Sequence, residues 1–110
     1  MNPKLLMIVS TGEPDKALVG MLYAQKAKNE GWMTDVMVIM FGPSQKLLVS
    51  NQEIAKIAKE LAAEDKLIVC KYLADQEGLS KDIEALGIKL DYVGSIITNY
   101  MNLGFKSMVF

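Results

Sequence analysis

Apolar residues in this chain fall into short continuous runs, and the segments between the runs repeat at helical spacing. Leu5 to Val9 is one run, and Val36-Met37-Val38-Ile39-Met40-Phe41 is a second. Leu67-Ile68-Val69 is a third, with Cys70 at its carboxyl end. Continuous rather than alternating apolarity predicts strands covered on both faces. Asp91-Tyr92-Val93 predicts a short fourth strand. Phe105 to Phe110 predicts a last one, whose partial alternation suggests an edge or a subunit contact.

Between the runs the period changes. Ser10-Thr11-Gly12-Glu13 breaks the first strand, and Pro14 suits a first helical turn, where its missing N–H costs nothing. Ala17, Leu18, Met21, Leu22 and Gln25 then follow helical spacing to a stop at Gly31. Gly42-Pro43-Ser44 ends the second strand, and a short helix over Gln45–Val49 is expected after it. Ser50 and Glu53 have the spacing of a capping box. Ile54, Ile57, Ala58, Leu61 and Ala62 form the apolar stripe of the helix that follows, with Lys56, Lys59 and Glu60 opposite. Lys71 to Glu77 predicts a short helix stopped at Gly78, and Ser80 is placed as the cap of another, to Leu86. Gly94-Ser95 introduces a last helix, with Ile96, Ile97, Tyr100, Met101 and Leu103 on its apolar side and Gly104 at its end.

Strand and helix therefore alternate through five strands. That order predicts an α/β fold: a three-layer α/β/α sandwich around a five-stranded parallel sheet, built with right-handed crossovers. At 110 residues the chain is expected to be a single domain, 1–110. It is 51% hydrophobic and 23% charged, a globular composition. The formal net charge of −1 gives no attraction to nucleic acid or to an anionic membrane. The apolar run at the N-terminus is too short for a signal segment, and no run reaches the ~20 residues of a membrane span. A cytoplasmic location is expected.

The chain has one cysteine and no histidine. Ser-His and Cys-His catalysis need an imidazole base, and zinc sites built on His or on several Cys are excluded; no metal or other cofactor is expected. In an open parallel sheet, ligands gather at the carboxyl ends of the strands. There Cys70 would meet three loops that each carry a glycine and a hydroxyl: Ser10-Thr11-Gly12-Glu13, Gly42-Pro43-Ser44 and Gly94-Ser95. Thr11, Gly12, Ser44 and Ser95 are the candidate pocket residues, with Lys71 as an adjacent positive charge. A thiolate at a strand-to-helix handover is a nucleophile that needs no base. From spacing alone, Cys70 is equally well a small buried hydrophobe. Ser10-Thr11-Gly12 matches no dinucleotide or P-loop fingerprint. The eight methionines read as core filler, and Trp32 as a packing anchor.

Ser10-Thr11-Gly12-Glu13-Pro14-Asp15-Lys16-Ala17-Leu18, Phe41-Gly42-Pro43-Ser44, Cys70-Lys71-Tyr72-Leu73-Ala74-Asp75 and Tyr92-Val93-Gly94 resemble, in order and spacing, the DsrE/DsrF-like family of small α/β proteins. The resemblance covers essentially the whole chain and is strongest to single-domain bacterial and archaeal members. It implies a parallel five-stranded sheet between helices and assembly into homo-oligomers, often trimers or hexamers. In some members a cysteine in the loop after a strand accepts sulfur as a persulfide and passes it to a partner protein. Cys70 corresponds to it in position, followed as in many relatives by Ala74 and Asp75. The expectation is a cytoplasmic sulfur-relay protein with Cys70 as acceptor and donor, exchanging with a sulfur donor or acceptor protein and needing no cofactor. The alternative is a non-catalytic oligomeric binding module for a small anionic or nucleotide-like ligand, or a structural subunit of a complex, with Cys70 incidental.

Overall fold

The computed structural model describes residues 3–110. The strands are β1 (Lys4–Val9), β2 (Asp35–Met40), β3 (Leu67–Cys70), β4 (Lys89–Asp91) and β5 (Lys106–Val109). The helices are α1 (Pro14–Asn29), α2 (Leu47–Ser50), α3 (Gln52–Ala63), α4 (Lys71–Gln76), α5 (Ser80–Ala85) and α6 (Val93–Asn102), with a 3-10 turn at Pro43–Lys46 before α2. All five strands are parallel, in the order β4-β3-β2-β1-β5. The three-layer α/β/α architecture is thus present.

Strand order explains how the layers are filled. From β1 to β4 the chain steps in one direction across the sheet. Right-handed crossovers then put every intervening helix on one face. There Leu5, Met7 and Val9 of β1, Val36, Val38 and Met40 of β2, and Leu67 and Val69 of β3 pack against Ala17, Met21 and Ala24 of α1 and Ile54, Ala58 and Leu61 of α3. Ala74 of α4 and Ile83 of α5 join the same cluster. The step from β4 to β5 runs back across the whole sheet, so its helix, α6, lies on the opposite face. Beneath it are Leu6, Met37, Ile39, Ile68 and Cys70, closed by Val93 and Phe105.

Several boundaries differ from the expected ones. The fourth strand is Lys89–Asp91 rather than Asp91–Val93, because Val93 is the buried first residue of α6. Gly94 and Ser95 consequently lie in the first turn of α6 and not in a loop. Phe105 precedes β5 and is buried beneath α6, meeting Tyr100 edge-on at 4.8 Å. Asn51, not Ser50, caps α3: its Oδ1 accepts the Ile54 N–H at 3.0 Å, while the Ser50 hydroxyl donates to the Lys46 carbonyl. Ser80 is the first residue of α5 and caps nothing; its hydroxyl donates to Asp75. Trp32 is more than half exposed and touches Tyr23 at a ring distance of 6.4 Å.

Candidate functional site

Connectivity singles out one point on the carboxyl edge of the sheet. After β3 the chain turns into the layer of α1 and α3, and after β4 it turns to the α6 face. Neighbouring strands whose outgoing chains part to opposite faces open a crevice, and ligands of open α/β sheets bind there. Cys70 and Asp91 are the register partners at that edge. Both side chains point to the α6 face, since Val69 before Cys70 and Leu90 before Asp91 pack on the other. Tyr92, mostly exposed, follows Asp91 at this edge and is the cap residue of α6.

Cys70 is the last residue of β3 and the cap residue of α4. Its thiol takes no cap hydrogen bond and is only 4% exposed, packed with Ile39, Ile68 and Val93. Its carbonyl accepts the Gln45 side-chain N–H at 3.0 Å. Gln45 is itself 2% exposed, and its Oε1 accepts the Gly42 N–H at 3.1 Å. One amide therefore ties the loop after β2 to the end of β3. Gly42 has φ 128°, and a Cβ there would fall 2.6 Å from the Ser10 hydroxyl, so only glycine fits this turn.

Each candidate pocket residue has a definite place. Ser44 is fully buried: its hydroxyl donates to the Val9 carbonyl at 2.5 Å and its N–H to the Ser10 carbonyl at 3.0 Å. It is a clamp between the ends of β1 and β2. Thr11 is half-buried, its hydroxyl accepting the Glu13 N–H and its own N–H donating to the Phe110 carbonyl. Gly12 lies against Pro43, where a Cβ would approach to 3.0 Å. Thr11, Gly12 and Ser44 are thus drawn together across the ends of β1 and β2. Ser95 is exposed on α6 and separate from them. The Lys71 ammonium binds Asp75 one helical turn along, at 2.9 Å. That bond and the Asp75 charge raise the Lys71 pKa; the Ser80 hydroxyl first and Lys71 second hold Asp75 below the ordinary carboxylate range. Lys71 is therefore committed to Asp75 rather than offered to the thiol.

A cavity of about 170 Å³ opens beside this edge, lined by Gly42, Pro43, Gln45, Lys46, Leu73 and Glu77. Leu73 also packs against the cluster that contains Cys70, so it stands between the cavity and the thiol. Sequence reasoning missed Gln45, Leu73, Asp91 and Tyr92. For Gln45 a signal existed: a glutamine three residues after Gly42 has the spacing of the returning half of a capping box.

Among the described residues, no three His, Cys, Asp or Glu side chains converge to hold a metal ion. No helix there is long and apolar enough to cross a membrane.

Fold and crevice define a three-layer α/β protein with a lone thiol at a switch point of its sheet. No family model and no curated protein matches the chain. A solved structure that is similar is that of a conserved protein of unknown function from Bacteroides thetaiotaomicron, at 26% identity and a TM-score of 0.85. The match covers 97% of this chain and 94% of that one.

Proposed function

We propose that this chain is a sulfur-relay protein of the DsrE/DsrF-like kind, carrying sulfur as a persulfide on Cys70. The observation that carries the reading is the position of the single thiol, at the carboxyl end of β3 in the crevice where the chain parts to opposite faces. In the reaction, the Cys70 thiolate attacks the outer sulfur of a donor persulfide. A new S–S bond forms on Cys70, the donor's S–S bond breaks, and the donor leaves as a thiolate that takes up the proton Cys70 lost. Delivery repeats the exchange with an acceptor thiolate as nucleophile. Both steps are redox-neutral and use no cofactor. Burial sets a condition: the donor must displace the start of α6, where Val93 packs in the cluster that covers the thiol. Once loaded, the same cover shields the persulfide from stray thiols.

The burial of Cys70 and the commitment of Lys71 to Asp75 favour a second reading, a non-catalytic module that binds a small ligand at this edge. One experiment separates the two. The protein is incubated with a cysteine desulfurase and cysteine, and its intact mass is measured without reductant. One added sulfur on the wild type, missing from Cys70→Ser, is the expected result. A wild-type mass unchanged with several persulfide donors would overturn the relay.

A further inference from the structure

The cavity beside the end of β3 has walls whose polar groups are largely spent. Gln45 is only 2% exposed; its Nε2 donates to the Cys70 carbonyl at 3.0 Å and its Oε1 accepts the Gly42 N–H at 3.1 Å. The Gly42 carbonyl accepts the Gln45 N–H at 3.0 Å, and Pro43 has no N–H to offer. Leu73 and the Pro43 ring supply apolar surface. Among the described residues that line the space, Lys46 and Glu77 alone are charged.

Those two side chains reach it from different elements. Lys46 ends the 3-10 turn, and Glu77 is the cap residue that ends α4. The Glu77 N–H bonds to the Leu73 carbonyl, one helical turn back, so carboxylate and apolar wall share a side of that helix. Lys71 and Asp75 pair with each other on another side. Between Lys46 Nζ and Glu77 Oε2 the distance is 3.5 Å, whereas the other ion pairs among the described residues close to 2.7–2.9 Å. Both side chains are about half exposed. A pair this open and this exposed contributes little to the fold, and parting it for a ligand costs correspondingly little.

Size and charge select the ligand. A protein cavity of about 150 Å³ holds one benzene molecule, so a cavity of about 170 Å³ takes a body of similar size. A plain anion there would sit against the Glu77 carboxylate, and a plain cation against the Lys46 ammonium. An α-amino acid carries both charges, joined through one carbon, with its side chain on that same carbon. We propose that the cavity binds a small apolar α-amino acid as its zwitterion, carboxylate on Lys46, ammonium on Glu77 and side chain against Leu73 and Pro43. The inference names a ligand class for the binding reading of this edge. It is measured on Cys70→Ser, so sulfur loading of the wild type succeeds or fails without bearing on it.

The test is a titration of the nitrogen-labelled Cys70→Ser chain with L-valine, followed through its amide NMR signals. Saturable shifts centred on the Gly42 N–H and the Gln45 side-chain amide are expected. Isovalerate, which lacks the ammonium, and isobutylamine, which lacks the carboxylate, are each expected to bind about tenfold more weakly, through loss of one charged partner. Adding Lys46→Gln or Glu77→Gln is expected to raise the L-valine Kd about tenfold. The far-UV spectrum stays unchanged in both, because the two side chains are exposed. No saturable shift with L-valine, either analogue binding as tightly as L-valine, or an affinity that neither substitution moves would overturn the proposal.

Discussion

Gln45 holds two strand ends with a single side chain, and the consequence of losing it follows from what it leaves behind. Gln45→Leu keeps the bulk but strands the Gly42 N–H and the Cys70 carbonyl. Each buried group left unpaired costs roughly 1–3 kcal/mol. The unfolding free energy from urea titration is therefore expected to fall by that order, through a lower midpoint at unchanged slope, and a midpoint equal to wild type would remove Gln45 from this role. Asp75 makes a prediction in acid. Its folded pKa is lowered, so its contribution to stability is present above the ordinary value of 3.8 and is lost as the pH falls through the folded value. The melting temperatures of wild type and Asp75→Asn should differ at neutral pH and converge below pH 3.8; a gap that stays constant into acid would contradict the assigned cause. Lys71, with a raised pKa, acts at the other end, its contribution present below pH 10.5 and lost as the pH rises through the higher folded value. At this scale the sequence was legible in part. Cys70 and Ser44 could be placed at the carboxyl edge, but not which way their polar atoms are spent. The Ser44 proton goes to Val9, and the Lys71 charge to Asp75. The first partner is set by packing between segments far apart in the chain; the second lies one turn along α4 and depends on where that helix starts.

Elements were easier to read than their ends. The apolar runs of β1, β2 and β3 and the stripe of α3 announce themselves, since a two-sided strand and a one-sided helix need different periods. Ends are contested by adjacent residues with the same chemistry. Ser50 and Asn51 can both cap a helix. Asn51 does so because Ser50 still belongs to α2 and bonds backward to Lys46. Asn51→Ala is expected to cost about 1 kcal/mol in chemical unfolding and Ser50→Ala well under half of that. The reverse order would restore the capping box read from Ser50 and Glu53. The shift of β4 has a similar origin. Asp91-Tyr92-Val93 reads as a strand because Tyr and Val favour one, but Val93 is instead the first residue of α6, buried against the sheet with Ile39, Ile68 and Cys70.

The layers of the whole molecule could be inferred, but not the order of its strands. A continuous apolar run says that a strand is covered twice; it does not say by which neighbours. The observed order puts β2 between β1 and β3, all but its first residue buried, and leaves β5 an edge strand exposed along its length. Amide exchange should follow that gradient, slowest in β2, with an opening free energy near that of global unfolding, and fastest among the strands in β5. Equal protection in β5 and β2 at low protein concentration would contradict the single-chain arrangement.

The pairing of β1 with β5 joins Leu5 to Lys106, residues about a hundred positions apart. In biosynthesis β1 thus leaves the ribosome long before its partner β5, and until residues 106–109 have emerged β1 is an open edge. Parallel pairing at such separation forms late, because chain closure must be met before contact repays it. The nascent chain therefore passes through a state with the β1 edge bare and Leu6 without its final cover. That state, rather than the finished fold, is where aggregation of this protein would begin.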